Sequence, residues 1–363
     1  MAKHLFPFLS ALQTLLVRSG NRIILWLYTG VFNLVLTIVG SLMFRTRMSH
    51  NNGIAAVGSF KFVDHPKFPL HPFFEPGKIL PCRIRHGAAS FKDDAMRAVR
   101  SLSIKLADER YNSPFDLELN TGIVALFWSA ASFLRFAKYK KTMYGIQYHQ
   151  YYRNYPVGAR GAYEGLRRNP TSFSNLHYYS QTPFWYIASD QVKRYVKYRV
   201  IPASDVPETG ILDAYDRTIP PENQRTLPGE TRTRNYLKEE YAQQIKEGPI
   251  TYKVQLQLQT AADDESPEIF NCCRAWDENA HPWMDLAEIR VERVLDWRES
   301  TMMVFSMNNM PKGLGALPAY SIFDYNSLNY MRKHSDMARK ARVLAIKLFG
   351  LPPEIPDDDN RNQ

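Results

Sequence analysis

Residues 250–260 read ITYKVQLQLQT, in which Ile250, Tyr252, Val254, Leu256 and Leu258 alternate with Lys253, Gln255, Gln257 and Gln259. A strand turns successive side chains to opposite faces, so this period of two places the first set on a dry face and the second on a wet one. Upstream, Val192, Val196, Tyr198 and Val200 are set against Lys193, Lys197 and Arg199 in the same way. Many such segments separated by turns predict an antiparallel β-barrel with a filled interior and helices packed outside it, an α+β chain. Helices are expected at Asp93–Val99, Thr121–Lys138, Arg234–Lys246 and Ser327–Phe349. Residues 202–232 carry five prolines and many charges, which predicts an irregular surface excursion.

The N-terminus differs in character. Ile23 to Phe44 is a run of 22 residues without one charge, bracketed by Arg22 and Arg45. About 20 apolar residues cross a bilayer core, so the run predicts a transmembrane helix or a monotopic anchor. The alternative is a buried arm that wraps a second copy of the chain, making a homo-oligomer. A shorter apolar stretch, Leu9–Val17, precedes it and is expected to lie in a membrane interface. Basic residues stand on both sides (Lys3, Arg18 and Arg22; Arg45 and Arg47), so charge does not decide the orientation. Residues 45–54 read as a polar linker. The organisation expected is therefore an anchor and linker over 1–48, a main domain over 49–350, and a disordered acidic tail over 351–363.

Lys and Arg outnumber Asp and Glu by 46 to 36, for a net charge of +10. The excess is spread along the chain and no nucleic-acid motif accompanies it, so no nucleic-acid partner is expected. Cys82, Cys272 and Cys273 offer neither a disulfide framework nor a zinc spacing. Three reduced thiols are expected, as in a domain facing a reducing, cytosolic compartment. There is no phosphate loop, HExxH or G-x-S-x-G. His65 and His71 sit in a proline-rich loop whose fixed turns disfavour joint metal ligation.

Several widely spaced residues fall into one order. Arg83 and His86 lie in PCRIRHG (81–87), Arg100 opens RSLSIKL, and Asn120 lies in DLELNTG. Tyr325 precedes Arg332 by seven residues in DYNSLNYMR. This order resembles the haem core of catalases and of the catalase-related allene oxide synthases. The likeness extends from about Ala56 to Arg342 and includes residues 57–81, 177–202 and FSMNNMPKGLG (305–315). It implies a catalase-type barrel holding haem b. His86 would be the distal histidine and Asn120 the distal asparagine. Tyr325 would be the axial ligand of the iron, and Arg83, Arg100 and Arg332 would pair with the propionates.

Two positions depart from the family pattern. Catalases place an arginine four residues before the ligand tyrosine, where this chain has Ser321. Either Arg298, Lys312 or Arg332 substitutes for it in space, or the iron deprotonates the phenol unaided, or haem is not bound. Tyr320 and Tyr330 compete with Tyr325. The family also has a small apolar or hydroxyl residue just before the distal histidine, where this chain has Arg85.

With an anchor ahead of the core, the resemblance implies a membrane-associated haem enzyme that cleaves the O–O bond of fatty-acid hydroperoxides, as allene oxide synthases and hydroperoxide lyases do. The alternatives are a haem-free or haem-sensing membrane binding protein on the same core, and a catalase or peroxidase acting on hydrogen peroxide.

Overall fold

The computed structural model describes residues 20–47, 49–89, 93–140, 148–204, 206–221, 225–262 and 266–352. The acidic tail beyond 352 and the stretch Leu9–Val17 lie outside them. Among the described residues eleven strands follow one another: β1 (Asn52–Phe62), β2 (Ile79–Ala88), β3 (Ala98–Lys105), β4 (Asp116–Thr121), β5 (Leu166–Arg167), β6 (Tyr178–Tyr179), β7 (Phe184–Ile187), β8 (Lys193–Pro202), β9 (Ile250–Thr260), β10 (Met284–Val294) and β11 (Leu314–Ala316). Neighbours run in the order β8-β6-β4-β3-β2-β1-β10-β9, and β9 pairs again with β8. The sheet thereby closes into a barrel of eight strands, all antiparallel. Closure leaves those strands without a free edge.

The alternation read in the sequence sets which side chains fill the barrel. Tyr252, Val254 and Leu256 from β9 meet Val196, Tyr198 and Val200 from β8 inside it. Phe60, Ile84, Leu102 and Leu117 from β1 to β4 complete the ring, each at most 1% exposed. The interior is a packed core, as side chains can fill a barrel of this strand number.

Among the described residues, eight helices other than short 3₁₀ turns surround it: α1 (Gly20–Met43), α2 (Ala130–Lys140), α3 (Tyr148–Asn154), α4 (Pro156–Gly165), α5 (Tyr236–Glu247), α6 (Trp297–Met302), α7 (Ser327–Lys333) and α8 (Asp336–Phe349). Three sequence expectations are corrected. Asp93–Val99 is not a helix: Asp93 caps a turn through the Ala95 N–H, and Ala98 and Val99 are drawn into β3 by pairing with β5. The helix expected from Thr121 starts only at Ala130, since Thr121 ends β4. The C-terminal helix breaks at His334–Ser335, where the Ser335 hydroxyl donates to the Arg332 carbonyl.

A buried ion pair fixes how the C-terminal segment meets the barrel. Lys105 of β3 and Asp116 of β4 lie 3.1 Å apart and are both dry. Asp116 also accepts from the Ser306 N–H at 2.9 Å and the Asn309 amide at 2.8 Å. A buried charge needs these extra donors to offset its desolvation. They pin residues 306–309 to the barrel wall, and the chain enters α7 and α8 from there.

Candidate functional site

The outer face of β2, β3 and β4 is polar. One cross-strand row runs Gly53–Gly87–Ser101–Asn120–Tyr179, and the next runs Ala55–Arg85–Ser103–Glu118. Asn120 and Glu118 are two apart on β4, so they share a face, with Leu117 and Leu119 turned into the core.

His50 lies on this face. It precedes β1 in a left-handed conformation, φ 55°, and packs over Gly87. A Cβ built on Gly87 would stand 3.1 Å from the Cβ of His50 and 3.1 Å from its carbonyl oxygen. Glycine at 87 therefore lets the histidine sit close to the sheet. Arg85 holds the segment by donating to the carbonyls of His50 at 2.8 Å and Asn51 at 2.7 Å. The His50 Nδ1 meets the Ser49 hydroxyl at 2.9 Å, and its Nε2 is buried without a hydrogen-bond partner among the described residues. A buried polar atom left unpaired in a native site points to a missing partner. Gly87 and Asn120 are two strands apart in one row, about 10 Å at the usual strand spacing. Burial first, and the Arg85 guanidinium second, bring the His50 imidazole down to about 3, against the pull of Glu118. The ring is neutral near pH 7.

The structure separates the residues that the sequence placed together. His86 points into the barrel, because on a regular strand a residue three after Arg83 faces the other side. Its Nδ1 meets the Tyr178 hydroxyl at 3.0 Å and its Nε2 the Tyr252 hydroxyl at 3.1 Å, and Phe173 stacks on the ring. Both nitrogens are thus engaged inside the core. Arg83 does face outward, where it pairs with Asp108 at 2.8 Å and Glu299 at 2.9 Å. Arg100 is buried and donates to the carbonyls of Asp94 and Met96. Asn120 and Arg332 are the two expected residues that reach the His50 face, for Arg332 pairs with Glu118 at 2.8 Å. His71 is engaged structurally, with the Lys312 carbonyl on one nitrogen and the Phe73 N–H on the other.

Tyr325 lies in a turn before α7 and donates its phenol hydrogen to Glu268. That hydrogen bond, with burial behind it, raises the phenol to about 12, the opposite of what an iron-bound phenolate requires.

Residues 45–47 and 49–54, within the segment read as a linker, are packed structure. Arg47 donates to the carbonyls of Ser300 at 3.2 Å and Met303 at 2.7 Å. With His50 it forms a second Arg-x-x-His, and here Ser49 supplies the hydroxyl residue ahead of the histidine. That was the available signal for His50.

Across the site, Glu118 joins the barrel to the C-terminal helices through Arg332 and Arg339, the latter at 3.1 Å. Burial opposes ionisation of Glu118, but Arg339 and Arg332 outweigh it and bring the carboxyl down to about 2. Four residues beyond Arg332 stands Asp336, in the relation that a ligand has to its arginine in catalases. Its carboxylate accepts from the Ser306 hydroxyl at 2.7 Å, the Asn308 amide at 2.8 Å and Arg339 at 3.2 Å. A haem-type group fits the distal half of this arrangement, where an unpartnered histidine nitrogen shares a face with an asparagine. On the opposite half the oxygen donor in the expected relation is a carboxylate instead of a phenol.

The two buried imidazoles make stability depend on pH. Burial, reinforced by Arg85, brings His86 to about 3 as well, against about 6.5 in an unfolded chain. A base with a depressed folded value stabilises the fold above its unfolded value and loses that contribution as pH falls toward the folded one. The melting temperature is expected to be level above about pH 6.5 and to fall steadily below it. His86→Gln should flatten part of that fall. A wild-type melting temperature that stays constant down to mild acid would refute the neutral burial of these rings.

No family model matches the chain. Its fold is that of catalases. Catalase A of Saccharomyces cerevisiae superposes with a TM-score of 0.64 at 16% identity, over 85% of this chain and 64% of that one. A fungal catalase superposes at 0.60 and 15% identity, over 85% and 62%. In sequence, the chain is 34% identical over 308 residues to the allene oxide synthase-lipoxygenase protein of Plexaura homomalla, covering 83% of this chain and 28% of that protein. It is 30% identical over 304 residues to linolenate 9R-lipoxygenase of Nostoc, covering 79% and 37%. The chain thus spans well under half the length of either relative. It has the catalase fold and sequence relatives of the allene oxide synthase–lipoxygenase kind.

Proposed function

We propose that this chain is a membrane-associated enzyme that converts fatty-acid hydroperoxides with a haem-type cofactor, haem b, in the manner of an allene oxide synthase. The observation that carries the reading is His50, whose buried, unpartnered Nε2 shares the outer barrel face with Asn120. The relationship to an allene oxide synthase-lipoxygenase protein supports a lipid hydroperoxide as substrate, and α1 supports a membrane location.

Haem bound against this face would supply an iron at which the O–O bond of a hydroperoxide is cleaved. The chain's own residues do the rest. His50, neutral at pH 7, takes the hydroperoxide proton at Nε2 and returns it to the departing oxygen. Asn120 orients the peroxide by hydrogen bond. Arg332, on the same face, would pair with a propionate of the bound group, and Asp336 would be the anionic oxygen donor that holds it from the helix side. Ser306, Asn308 and Arg339 fix the orientation of Asp336.

A second reading, a cofactor-free protein that binds the lipid, is favoured by one observation: Glu268 holds the Tyr325 phenol protonated. Reconstitution of the full chain with haemin separates the two. The enzyme reading expects a Soret band at one haem per chain and hydroperoxide consumption well above that of free haemin. Saturable lipid binding with no Soret band would establish the second reading in its place.

A further inference from the structure

The helix α1 is inside out for a helix on a water-soluble protein. Its buried stripe is Leu25, Thr29, Asn33 and Ser41, at 1%, 3%, 6% and 4% exposure, four or eight residues apart and therefore on one side. Three of those four are polar. The outward sides are apolar, with Trp26 at 65%, Val31 at 62%, Leu34 at 53% and Met43 at 63% exposure. A helix facing water shows the reverse pattern. The medium outside α1 is therefore apolar.

The polar stripe also shows how α1 lies. Arg22 stacks on the Tyr320 ring at 4.3 Å, Asn33 donates to the His334 carbonyl at 2.7 Å, and Ser41 donates to the Ala338 carbonyl at 2.7 Å. Beyond its end, Arg45 donates to the Phe349 carbonyl at 2.6 Å. Contacts thus run from one end of α1 to the other, about 36 Å at helical rise, along α7 and α8. The exposed side of α8 continues the same surface with Met337, Leu344 and Leu348. Lys340 and Lys347, seven residues apart on α8 and exposed, lie on that side, and Lys333, also exposed, ends α7. A cleft of about 430 Å³ between Arg22, Ile23 and Trp26 on one side and Ala319, Tyr320 and Tyr330 on the other lies at the start of the helix.

We infer that α1 and the exposed side of α8 form one in-plane, monotopic face that seats the domain on an anionic phospholipid surface, and that α1 does not cross the bilayer. The inference rests on the membrane reading above. A perpendicular α1 would carry α7 and α8 into the hydrocarbon with it, including Arg332, Asp336 and Arg339 and their partner Glu118 on the barrel wall. Charged groups at that depth are costly. Laid in the interface, the same helix buries its outward side chains among the acyl chains. The three lysines then reach the headgroups with their stems along the apolar surface. Their charge and spacing favour anionic lipid over a second copy of this chain, which would bring like charges together.

The test uses the full chain. Flotation with vesicles containing phosphatidylserine asks whether it binds a membrane at all. Replacing Lys333, Lys340 and Lys347 with Glu should weaken that binding roughly 100-fold or more, from about fivefold per cation near an anionic surface. Gly20→Cys and Thr46→Cys bracket the helix, while Cys82, Cys272 and Cys273 are buried. In membrane vesicles of uniform sidedness, an impermeant maleimide should label both positions or neither until detergent is added. Labelling of one with protection of the other would mean that α1 spans, which overturns the in-plane inference and leaves the membrane reading standing. Failure to float, with a doubled mass in solution, would assign the face to a dimer and overturn both.

Discussion

His50→Ala is expected to lower hydroperoxide turnover roughly 100- to 10,000-fold, the range for losing a positioned acid–base group, with haem content unchanged. The expectation follows from where the imidazole sits. Among the described residues its Nε2 is buried without a hydrogen-bond partner, it shares the outer barrel face with Asn120, and Arg85 and Ser49 fix its backbone and Nδ1. His86→Gln is the matched control: a glutamine keeps polar contact with Tyr178 and Tyr252 inside the barrel, and turnover should stay within a few-fold of wild type. Asn120→Ala should cost less than His50→Ala, because a lost orienting hydrogen bond leaves the proton transfer in place. Normal turnover in His50→Ala with a collapse in a folded His86→Gln would return the catalytic role to the interior histidine.

The contrast between the two histidines shows what the sequence could and could not carry. Period-two alternation over Ile250–Thr260 and Lys193–Pro202 was enough for the barrel, because burial on one face alone produces that pattern. The same period argues against Arg83 and His86 acting together, since an odd separation on a strand sends two side chains to opposite faces. The second Arg-x-x-His, at Arg47, escapes this objection because it precedes β1, and the positive φ of His50 turns the ring onto the sheet. Such a turn has no hydrophobic period to announce it. Glycine at 53 and 87 marks it in the sequence beside the Arg-x-x-His spacing, and the reason for either glycine is visible only in three dimensions. Likewise the apolar run of α1 was legible, but the polar stripe within it takes on meaning only once α7 and α8 lie alongside. Asn120 and Arg332 share the His50 face because each sits on a regular element whose outward face is fixed by its buried neighbours.

The interval from Tyr325 to Arg332 does not place both residues on one helix, and this leads to the other large effect. Seven residues put two side chains on one helix face only if both belong to the helix, and Tyr325 lies in the turn before α7. From Arg332 the helical count runs forward, to Asp336. Asp336→Ala is therefore expected to remove most of the haem bound by the reconstituted wild-type chain, while Tyr325→Phe leaves both haem content and spectrum as they were. Asp336→Tyr should keep haem and move its absorption and electron paramagnetic resonance to those of a phenolate-bound ferric iron, since Arg332 would then stand one turn before a tyrosine and favour its charged form. Because Ser306, Asn308 and Arg339 all donate to Asp336, circular dichroism must confirm that the Ala variant is folded. Asp336→Asn provides a second probe that keeps the side-chain shape and removes the charge, and it should weaken haem binding in the same direction. Loss of haem in Tyr325→Phe, with none in either Asp336 variant, would place the ligand back in the turn. It would also require Glu268 to give up its hydrogen bond to that phenol when haem binds.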